Sequence, residues 1–385
     1  MNKPKLIRIT TVPQSLRGLL KGQLRFMSDH YEVVGVSSSG ETLAEVAANE
    51  GIRVHAIEMT RTISPFRDLK AVYRLYRFFK REKPFIVHTH TPKAGTLGML
   101  AAKLAGVPHR LHTVAGLPLL VAQGKKRKLL NIVEKFTYRC ATRVYPNSVG
   151  LYDFIASARF ASKSKLKVIG KGSSNGIDTS HFSRSKVPAE AIESLRNQLQ
   201  LGAEHFVFVF VGRIVRDKGI NELVAAFGRL NTDFPDTRLL LVGRFEPELD
   251  PLLPEINDEI IRNKNILTPG YQTDVRPYLA LSDCLVFPSY REGFPNVVMQ
   301  ACAMELSAIV TDINGCNEII IDNKSGLFVP PRDANALYEK MKYLYQNPTE
   351  NKRMANSSRA HVVANFENTY VWQEILKEYR SLHHV

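Results

Sequence analysis

Short runs of apolar residues alternate along the chain with longer segments in which apolar residues recur at helical spacing. In the first half, residues 68–84, 96–109 and 128–142 show the helical spacing and are predicted as helices. The predicted strands of this half are residues 6–12, 31–38, 53–59, 85–90, 109–116 and 143–148. Alternation of strands and helices over this length is typical of a parallel sheet covered by helices on both faces.

The same alternation restarts after residue 200. The run 205–213, which is apolar from Phe206 to Val211, predicts a central strand. The further predicted strands are residues 237–244, 265–271, 284–289, 307–313 and 326–331, and the predicted helices are residues 220–230, 297–304 and 335–347. We therefore expect an α/β protein of two doubly wound, Rossmann-like domains that face each other across a cleft.

The expected domains are residues 1–180 and 186–365, followed by an amphipathic helix within residues 366–385. A stretch rich in Gly and Ser, residues 170–188, is predicted to be the hinge between the two domains. A length of 385 residues also favours two domains.

Cysteine usage and hydropathy limit the class of protein. The cysteines are Cys140, Cys284, Cys302 and Cys316, and they form no CxxC motif and have no His at zinc-finger spacing. This argues against a disulfide framework or a structural zinc site and predicts a reducing compartment. No run of 18 apolar residues predicts a membrane span, and the first residues are expected to form a strand rather than a signal peptide.

Charge is distributed unevenly along the chain. The net charge is +15, made up of +20 in residues 1–185 and −5 in residues 186–385. The first half is therefore expected to meet an anionic partner. Nucleic acid is not the expected one, because no RRM, KH, helix-turn-helix or zinc motif is present and aromatic residues do not interleave with the basic ones.

Residues 117–136 are the candidate contact with an anionic membrane surface. Apolar residues come first and basic residues follow: Leu117, Leu119, Leu120 and Val121, then Lys125, Lys126, Arg127 and Lys128. Such an order fits an element whose apolar residues enter the membrane while its cations meet anionic headgroups. The alternative is a buried turn followed by a solvated basic run.

The segment VGRIVRDKG, residues 211–219, follows the central strand and precedes a helix. Arg213 and Lys218 lie on this turn, where the start of a helix already favours anions. Two cations there could bind a diphosphate, with Arg213 contacting two oxygens at once. The alternative is a solvated basic turn.

The segment PSYREGFPNVVMQA, residues 288–301, likewise follows a strand and opens a helix. Glu292 could hold sugar hydroxyls, and the backbone N–H groups of residues 294–297 could meet phosphate. Gln300, in the first turns of the helix, could reach the hydroxyls of a second ring. For Glu292, the alternative is a charge that stabilises the start of the helix.

Other catalytic signatures are missing from the sequence. It contains no P-loop, GxGxxG, GxSxG, HExxH or DxD motif, so no metal is expected. His88 and His90 alternate on one strand and could chelate a metal. Because no acidic or Cys partner lies nearby in sequence, a polar role for one of them is the stronger expectation.

The motifs VGRIVRDKG, REGFPNVVMQA and NGID together resemble those of nucleotide-sugar glycosyltransferases of the GT-B fold. The chain is similar to the retaining family four, the glycosyl transferases group 1, and to its bacterial capsule, O-antigen and lipid-linked oligosaccharide transferases. This resemblance implies that Arg213 and Lys218 bind the donor diphosphate and stabilise its departure, and that Glu292 contacts the donor sugar. It also implies that no metal is needed and that the final helix crosses back to the first domain. The remaining donor-side positions that it implies are Gly270, Tyr271, Phe294, Pro295, Asn296 and Val297.

Two positions depart from the family pattern. Gln300 replaces the second acid of the family's E-x7-E motif, which places the ribose affinity in question because an amide lacks the charge. Ala115 stands where many relatives carry His. The glycine-rich loop after the first strand is also irregular, with Ser15, Gly18 and Gly22. The candidates on the acceptor side are Gly18, Gly22, His90, His112 and Gly116.

We expect a metal-independent, retaining hexosyltransferase without a cofactor. It would move a sugar from a nucleotide diphosphate donor, with a UDP-sugar favoured and N-acetylhexosamine as one candidate sugar, to a polyprenyl-diphosphate-linked sugar in surface polysaccharide or glycan synthesis. It would act in the cytoplasm, at the inner face of the cell membrane. The alternatives are a nucleotide-sugar epimerase on the same fold and a non-catalytic scaffold that binds membranes or polyanions.

Overall fold

The structure is a computed structural model that describes residues 3–60, 62, 64–120, 122–248 and 250–384. The chain forms two compact units. The first unit consists of Met1–Gly176 together with Thr369–Val385, and the second consists of Ile177–Asn368. The end of the chain thus belongs to the same unit as its beginning.

Each unit contains one sheet. In the described part of the first unit, the strands are β1 (Lys5–Ile9), β2 (Glu32–Ser37), β3 (Arg53–Ala56), β4 (Ile86–Thr89), β5 (His109–Val114) and β6 (Arg143–Pro146). In the second unit they are β7 (Phe206–Val211), β8 (Thr237–Val242), β9 (Ile266–Gly270), β10 (Cys284–Phe287), β11 (Ser307–Thr311) and β12 (Leu327–Val329).

The two sheets have the same strand order. It is β3-β2-β1-β4-β5-β6 in the first unit and β9-β8-β7-β10-β11-β12 in the second, and neighbouring strands are parallel. The order reverses between β1 and β4 and again between β7 and β10. In doubly wound sheets, ligands bind beyond the carboxyl ends of the strands at this reversal. The predicted doubly wound α/β class is confirmed.

Helices connect the strands and cover the sheets. The helices within the described residues are α1 (Pro13–Leu19), α2 (Gln23–Ser28), α3 (Glu41–Glu50), α4 (Pro65–Glu82), α5 (Pro92–Ala105), α6 (Gly124–Cys140), α7 (Val149–Ser157), α8 (Ala189–Gln198), α9 (Ile220–Asp233), α10 (Pro254–Arg262), α11 (Arg276–Leu281), α12 (Asn296–Ala303), α13 (Cys316–Ile319), α14 (Ala334–Gln346), α15 (Pro348–Phe366) and α16 (Asn368–Ser381). Among them, none is both long and apolar enough to span a bilayer.

Successive residues of β1 face two different layers of the first unit. Ile7 and Ile9 pack in a core formed with residues of α4, α5, α6 and α7, while Leu6 packs in a core formed with α1, α2, α3 and α16. This follows from the alternation of side chains along a strand. Arg8 shares the face of Leu6 and is fully buried there.

The final helix completes the core of the first unit. Val371, Ile375 and Tyr379 of α16 are buried in the same apolar cluster as Leu6. Because these residues recur at helical spacing, they form one apolar face that must be covered. The contact with the sheet of the first unit covers it.

Candidate functional site

The loops that follow β7 and β10 lie side by side at the strand-order reversal of the second unit. The loop after β7 contains a short 3-10 helix, Arg216–Lys218, and then enters α9 at Gly219. Gly219 has φ +73°, and a Cβ there would lie 2.0 Å from the carbonyl oxygen of Pro288 in the loop after β10. Only glycine combines this backbone conformation with so close an approach. The glycine thus allows the two loops to meet.

Lys218 and Glu292 form an ion pair across these two loops. Both side chains are largely buried, with 17% and 15% of their surface exposed. Glu292 also accepts a hydrogen bond from the hydroxyl of Ser289, 2.8 Å away. The structure therefore brings together two residues that the sequence placed 74 positions apart.

Arg213 lies at the start of the same loop but is held more loosely. Its guanidinium is 3.4 Å from a carboxylate oxygen of Glu246 and 4.0 Å from one of Asp217. Asp217 is also bound by Arg291, at 2.9 Å. With 42% of its side chain exposed, Arg213 can exchange these carboxylates for an anionic ligand.

A pocket of about 430 Å³ opens beside Arg213, beyond the ends of β7, β8 and β9. It is lined by Val211, Gly212, Arg213, Val242, Gly243, Arg244, Glu246, Tyr271, Gln272 and Val275. The Arg244 guanidinium lies over the ring of Tyr271, 4.6 Å from its centre, and Tyr271 is 60% exposed. An exposed ring of this kind can stack on a flat ligand such as a nucleobase. Gly270 precedes Tyr271 as the last residue of β9.

The loop that contains Glu292 leads into helix α12. Phe294 and Pro295 are buried, Asn296 is exposed at the first position of the helix, and Val297 is half-buried. Gln300 lies one turn later and is half-buried. The side-chain amide of Asn314 donates a hydrogen bond to the carbonyl oxygen of Glu292, at 2.7 Å, and fixes this loop.

Sequence reasoning missed several residues of the pocket. Arg244, Glu246, Gln272 and Val275 line it, but none was singled out beforehand. The sequence does contain a pattern that could have identified Arg244. The same Val-Gly-Arg triplet begins at the last residue of β7 and of β8, at residues 211–213 and 242–244. Neighbouring parallel strands end at the same edge of a sheet, so the repeated triplet places Arg244 near Arg213.

The candidate acceptor-side residues of the first unit do not form one cluster. Gly18 lies inside α1 and is exposed, so it is not part of an irregular glycine loop. Gly22 precedes α2, and a Cβ there would lie 2.6 Å from the Trp372 ring, which gives this glycine a packing role against α16. Gly116 follows β5 and is half-buried.

His90 and His112 are buried on opposite faces of the first sheet. His90 accepts a hydrogen bond from Arg8, at 2.9 Å, on the face that α16 covers. His112 bonds to the hydroxyl of Thr89, at 2.8 Å, and packs against Gly95 of α5. Burial lowers the pKa of His112 to about 4 and holds that of His90 well below its usual value. Both rings are thus neutral near pH 7.

His88 uses both ring nitrogens in hydrogen bonds. Its Nδ1 is 2.5 Å from the Tyr379 hydroxyl and its Nε2 is 2.8 Å from the Thr113 hydroxyl. Neither nitrogen is left to bind a metal together with His90. Among the residues that the structure describes, no group of three or more His, Cys, Asp or Glu side chains is placed to hold a metal ion.

The expectation for residues 117–121 is wrong in part. Leu117 and Leu119 are 3% and 0% exposed and belong to the core of the first unit, so they do not enter a membrane. Leu120 is half-buried, and Val121 lies outside the described residues. A buried turn and an interfacial turn have the same apolar pattern, and only packing distinguishes them.

The basic residues of this segment open helix α6. Lys125, Lys126 and Lys128 are exposed, whereas Arg127 donates a hydrogen bond to the carbonyl oxygen of Leu119. The same helix exposes large apolar side chains further along: Leu129 at 46%, Ile132 at 65% and Phe136 at 41%. Cations and exposed apolar residues thus occur together on α6.

Comparisons with known proteins identify the family. Residues 191–361 match the family described as glycosyl transferases group 1, and residues 22–172 match the glycosyl transferase 4-like domain. The chain is 31% identical over 386 residues to the capsular polysaccharide biosynthesis glycosyltransferase CapM of Staphylococcus aureus, covering 99% of this chain and 98% of that protein. It is also 31% identical over 284 residues to the UDP-Gal:alpha-D-GlcNAc-diphosphoundecaprenol alpha-1,3-galactosyltransferase of Escherichia coli, covering 72% and 70%.

Solved structures share the architecture. Anabaena HepE in complex with UDP and glucose superposes with a TM-score of 0.82 at 16% identity, covering 98% of this chain and all (100%) of that one. At this identity the likeness shows the fold, which is of the GT-B type with two Rossmann-like domains. The family match and the sequence relatives therefore favour the transferase over the epimerase and scaffold alternatives. This chain is a glycosyltransferase that belongs to the glycosyl transferases group 1.

Proposed function

We propose that the chain transfers a sugar from a UDP-sugar to a polyprenyl-diphosphate-linked sugar, with retention of the anomeric configuration and without a metal ion. The observation that carries the proposal is the Lys218–Glu292 pair at the strand-order reversal of the second unit, with Arg213 on the same loop. Two cations and one carboxylate at this edge match what a sugar diphosphate needs: positive charge for the phosphates and an acceptor for the sugar hydroxyls.

The diphosphate would bind between Arg213 and Lys218. As the bond between the sugar and the diphosphate breaks, negative charge grows on the leaving phosphate, and preformed cations stabilise it without having to reorganise. Lys218 is already fixed by Glu292 and largely buried, so its charge acts in a medium less polar than water. These cations take the place that a divalent metal has in other sugar transferases.

The uracil base would bind in the pocket lined by Tyr271 and Arg244. Its volume of about 430 Å³ lies within the range of ordinary small-ligand pockets. The name of the Escherichia coli relative contains UDP-Gal, and HepE was solved with UDP, which supports uridine as the nucleoside. Gln300 would hydrogen-bond the ribose hydroxyls, as donor and acceptor.

The donor sugar would lie against Glu292 and the first turn of α12. Glu292 is held by Lys218 and Ser289, so its carboxylate is oriented before a substrate arrives. Such pre-orientation lowers the entropy cost of aligning the sugar. The backbone N–H groups of residues 294–297 would meet phosphate or sugar oxygens.

The proposed step needs no side chain as a base. The acceptor hydroxyl oxygen forms a bond to the anomeric carbon on the face from which the diphosphate leaves, and the bond from that carbon to the phosphate oxygen breaks. The hydroxyl proton passes to the departing phosphate oxygen. The products are the glycosylated acceptor, with the configuration retained, and UDP.

The acceptor is proposed to be a sugar on a polyprenyl diphosphate, at the cytoplasmic face of the cell membrane. The Escherichia coli relative is named for such an acceptor, GlcNAc-diphosphoundecaprenol. On this chain, α6 offers exposed Lys125, Lys126 and Lys128 next to exposed Leu129 and Ile132. Cations beside apolar side chains favour binding to anionic membranes.

The test is a transfer assay with the purified chain and GlcNAc-diphosphopolyprenol, with UDP-galactose, UDP-glucose, UDP-GlcNAc and UDP-GalNAc offered in turn. We expect UDP release with one of them, an added hexose or N-acetylhexosamine by mass spectrometry, an α-linkage by NMR and full activity in EDTA. Donor use only with a GDP- or ADP-sugar would overturn the uridine assignment. Loss of activity in EDTA, restored by Mg²⁺, would overturn metal independence.

A further inference from the structure

A row of polar side chains crosses the sheet of the first unit beneath α16. Arg8 of β1 pairs in register with His88 of β4, and Thr113 of β5 pairs with Tyr145 of β6. Their side chains share the face that is otherwise covered by apolar residues. Hydrogen bonds between His88 and the hydroxyls of Tyr379 and Thr113 satisfy part of this row.

Arg8 carries a buried charge that no carboxylate balances. Its side chain is 0% exposed, its Nε donates to His90, and one terminal nitrogen donates to the Gln23 amide oxygen. Burial lowers the pKa of Arg8, and only Tyr379 acts against this. Arginine nonetheless keeps its proton in proteins. Glu378 of α16 is bound instead by Tyr145, at 3.0 Å, and by Lys167.

Arg8 and three residues around it each have one polar atom without a partner. Among the residues that the structure describes, Arg8 Nη1, His90 Nδ1, Ser174 Oγ and Asn147 Oδ1 are buried and make no hydrogen bond. The four residues line one small cavity of about 20 Å³ in the first unit. Buried polar groups are normally satisfied, so four such atoms around one cavity require an occupant.

The hydrogen bonds determine which sign of charge this occupant has. Since Nε2 of the neutral His90 accepts from Arg8, the proton of the ring is on Nδ1, which is then a free donor. Arg8 Nη1 and the Ser174 hydroxyl are donors too. Asn147 presents its amide oxygen in the structure, and a 180° rotation of the amide, which exchanges oxygen and nitrogen, would present its NH2 group to an anion instead. Donors and one positive charge converge on the cavity.

We propose that the first unit binds one small inorganic anion, of chloride size, at Arg8, His90, Asn147 and Ser174. A cavity of about 20 Å³ accommodates a single occupant the size of a water molecule. Phosphate, with five heavy atoms, and any sugar exceed this size. Water fits, but it is neutral and leaves the guanidinium charge uncompensated.

The anion has a structural role because its ligands come from distant parts of the first unit. Arg8 belongs to β1 and His90 follows β4, whereas Ser174 lies in the segment that leaves this unit. The Gln23 amide, which Arg8 contacts, donates to the Ser174 carbonyl oxygen at 3.0 Å. The anion thus fastens the end of the first unit to its central strand, independently of the proposed transfer reaction.

The test is the thermal stability of the full chain as chloride replaces gluconate at constant ionic strength. Wild type is expected to gain about 5 °C when chloride exceeds its dissociation constant a hundredfold. Arg8→Met, which keeps the volume and removes the charge, should show no chloride dependence. Arg17→Met is the matched control, because Arg17 is exposed and pairs with Glu45 on the surface. It should keep the full dependence.

A bromide soak of wild-type crystals gives a second measurement, which holds even where Arg8→Met does not fold. An anomalous peak beside Arg8 Nη1 is expected. A water molecule there without anomalous signal, or a chloride response that Arg8→Met shares with Arg17→Met, would overturn the proposal.

Discussion

The two units have the same strand order but different residues in the loops at the point where that order reverses. At the reversal in the second unit, the Lys218–Glu292 pair and the exposed Arg213 border a pocket of about 430 Å³. At the equivalent place in the first unit, Thr11 and Thr91 close the loops with a hydrogen bond of 2.7 Å between their hydroxyls. The cavity at Arg8 in this unit measures about 20 Å³. The fold positions the loops, and the residues on them decide whether the edge opens to a ligand.

Surface charge separates the two regions as well. Residues 1–185 carry a net charge of +20, and residues 186–385 carry −5. The second unit, whose candidate site contains Arg213 and Lys218, is thus acidic overall. Its positive charge at this site is local and is proposed to bind one anionic ligand, whereas the excess positive charge of the first unit is proposed to meet an extended anionic partner.

The largest effect is expected in the second unit, at Lys218. Lys218→Ala should lower kcat about 100- to 1,000-fold, because it removes a preformed cation from the leaving phosphate. Steady-state kinetics with the donor found in the transfer assay measure this. Lys264→Ala, at an exposed position of the same unit, should stay at wild-type rate. Equal rates in both variants would remove Lys218 from the mechanism.

Charge reversal on α6 tests the proposed contact of the first unit with an anionic membrane. Replacing Lys125, Lys126 and Lys128 by Glu should weaken binding to vesicles with anionic lipid about 100-fold or more, since each cation near such a surface contributes about 1 kcal/mol. Vesicle sedimentation at fixed salt measures it. The matched control reverses three exposed lysines of the second unit: Lys264, Lys324 and Lys352. An equal loss in this control would show that only total charge matters.

Acid should destabilise the first unit through its buried histidines. His112 is neutral in the folded state because burial lowers its pKa to about 4, while unfolded histidine has a pKa near 6.5. As the pH falls below about 6.5, the unfolded chain gains a proton that the folded chain does not bind, so stability is lost until about pH 4.

Between pH 6.5 and pH 5, this amounts to roughly 2 kcal/mol for His112. Urea unfolding at several pH values measures the slope, which His112→Gln should flatten and His30→Gln should not. A slope unchanged in His112→Gln would assign the acid sensitivity to other groups.

Removal of the exposed ring in the pocket should act on binding more than on turnover. Tyr271→Ala should raise KM for the nucleotide sugar about 10-fold with little change in kcat, because base stacking on an aromatic ring contributes about 1–3 kcal/mol. Tyr343→Ala, also partly exposed in the second unit, is the control. A fall in kcat alone would place Tyr271 outside the base site.

The smallest effect is expected at Gln300. Gln300→Glu should tighten binding of UDP over 2′-deoxy-UDP by a factor of about 3, since hydrogen bonds to a charged acceptor are stronger than those to an amide. Competition titrations with the two nucleotides measure the ratio. An unchanged ratio would show that position 300 does not contact the ribose.

Sequence patterns predicted the strands of both sheets well. Each predicted strand overlaps an observed one, and the run 205–213 is the central β7. Several helices were missed: α1, α2, α3, α7, α8, α10, α11, α13 and the long α15. The first three lie on segments such as residues 13–28, where the apolar positions are too few to establish a period. Residues of these three helices pack in one core with β1 and α16.

The candidate site was predictable where it follows a strand. Arg213, Lys218 and Glu292 stand in loops after apolar runs, which is enough to place them at one edge of a parallel sheet. The Lys218–Glu292 contact was not predictable, because it depends on the strand order that makes β7 and β10 neighbours. The sequence pattern did not predict the burial of Leu117 and Leu119 either, because that burial depends on which elements pack against them in the core of the first unit.

The sequence by itself predicted the fold class and the family and pointed to the candidate donor-side residues, because periodicity and local motifs are properties of consecutive residues. Only the tertiary structure decided that Arg244 joins the pocket and that Arg8 is buried without a carboxylate. These facts depend on which strands and helices become neighbours. Which elements become neighbours is determined by the burial of apolar surface over the whole chain, so it cannot be inferred from any single segment.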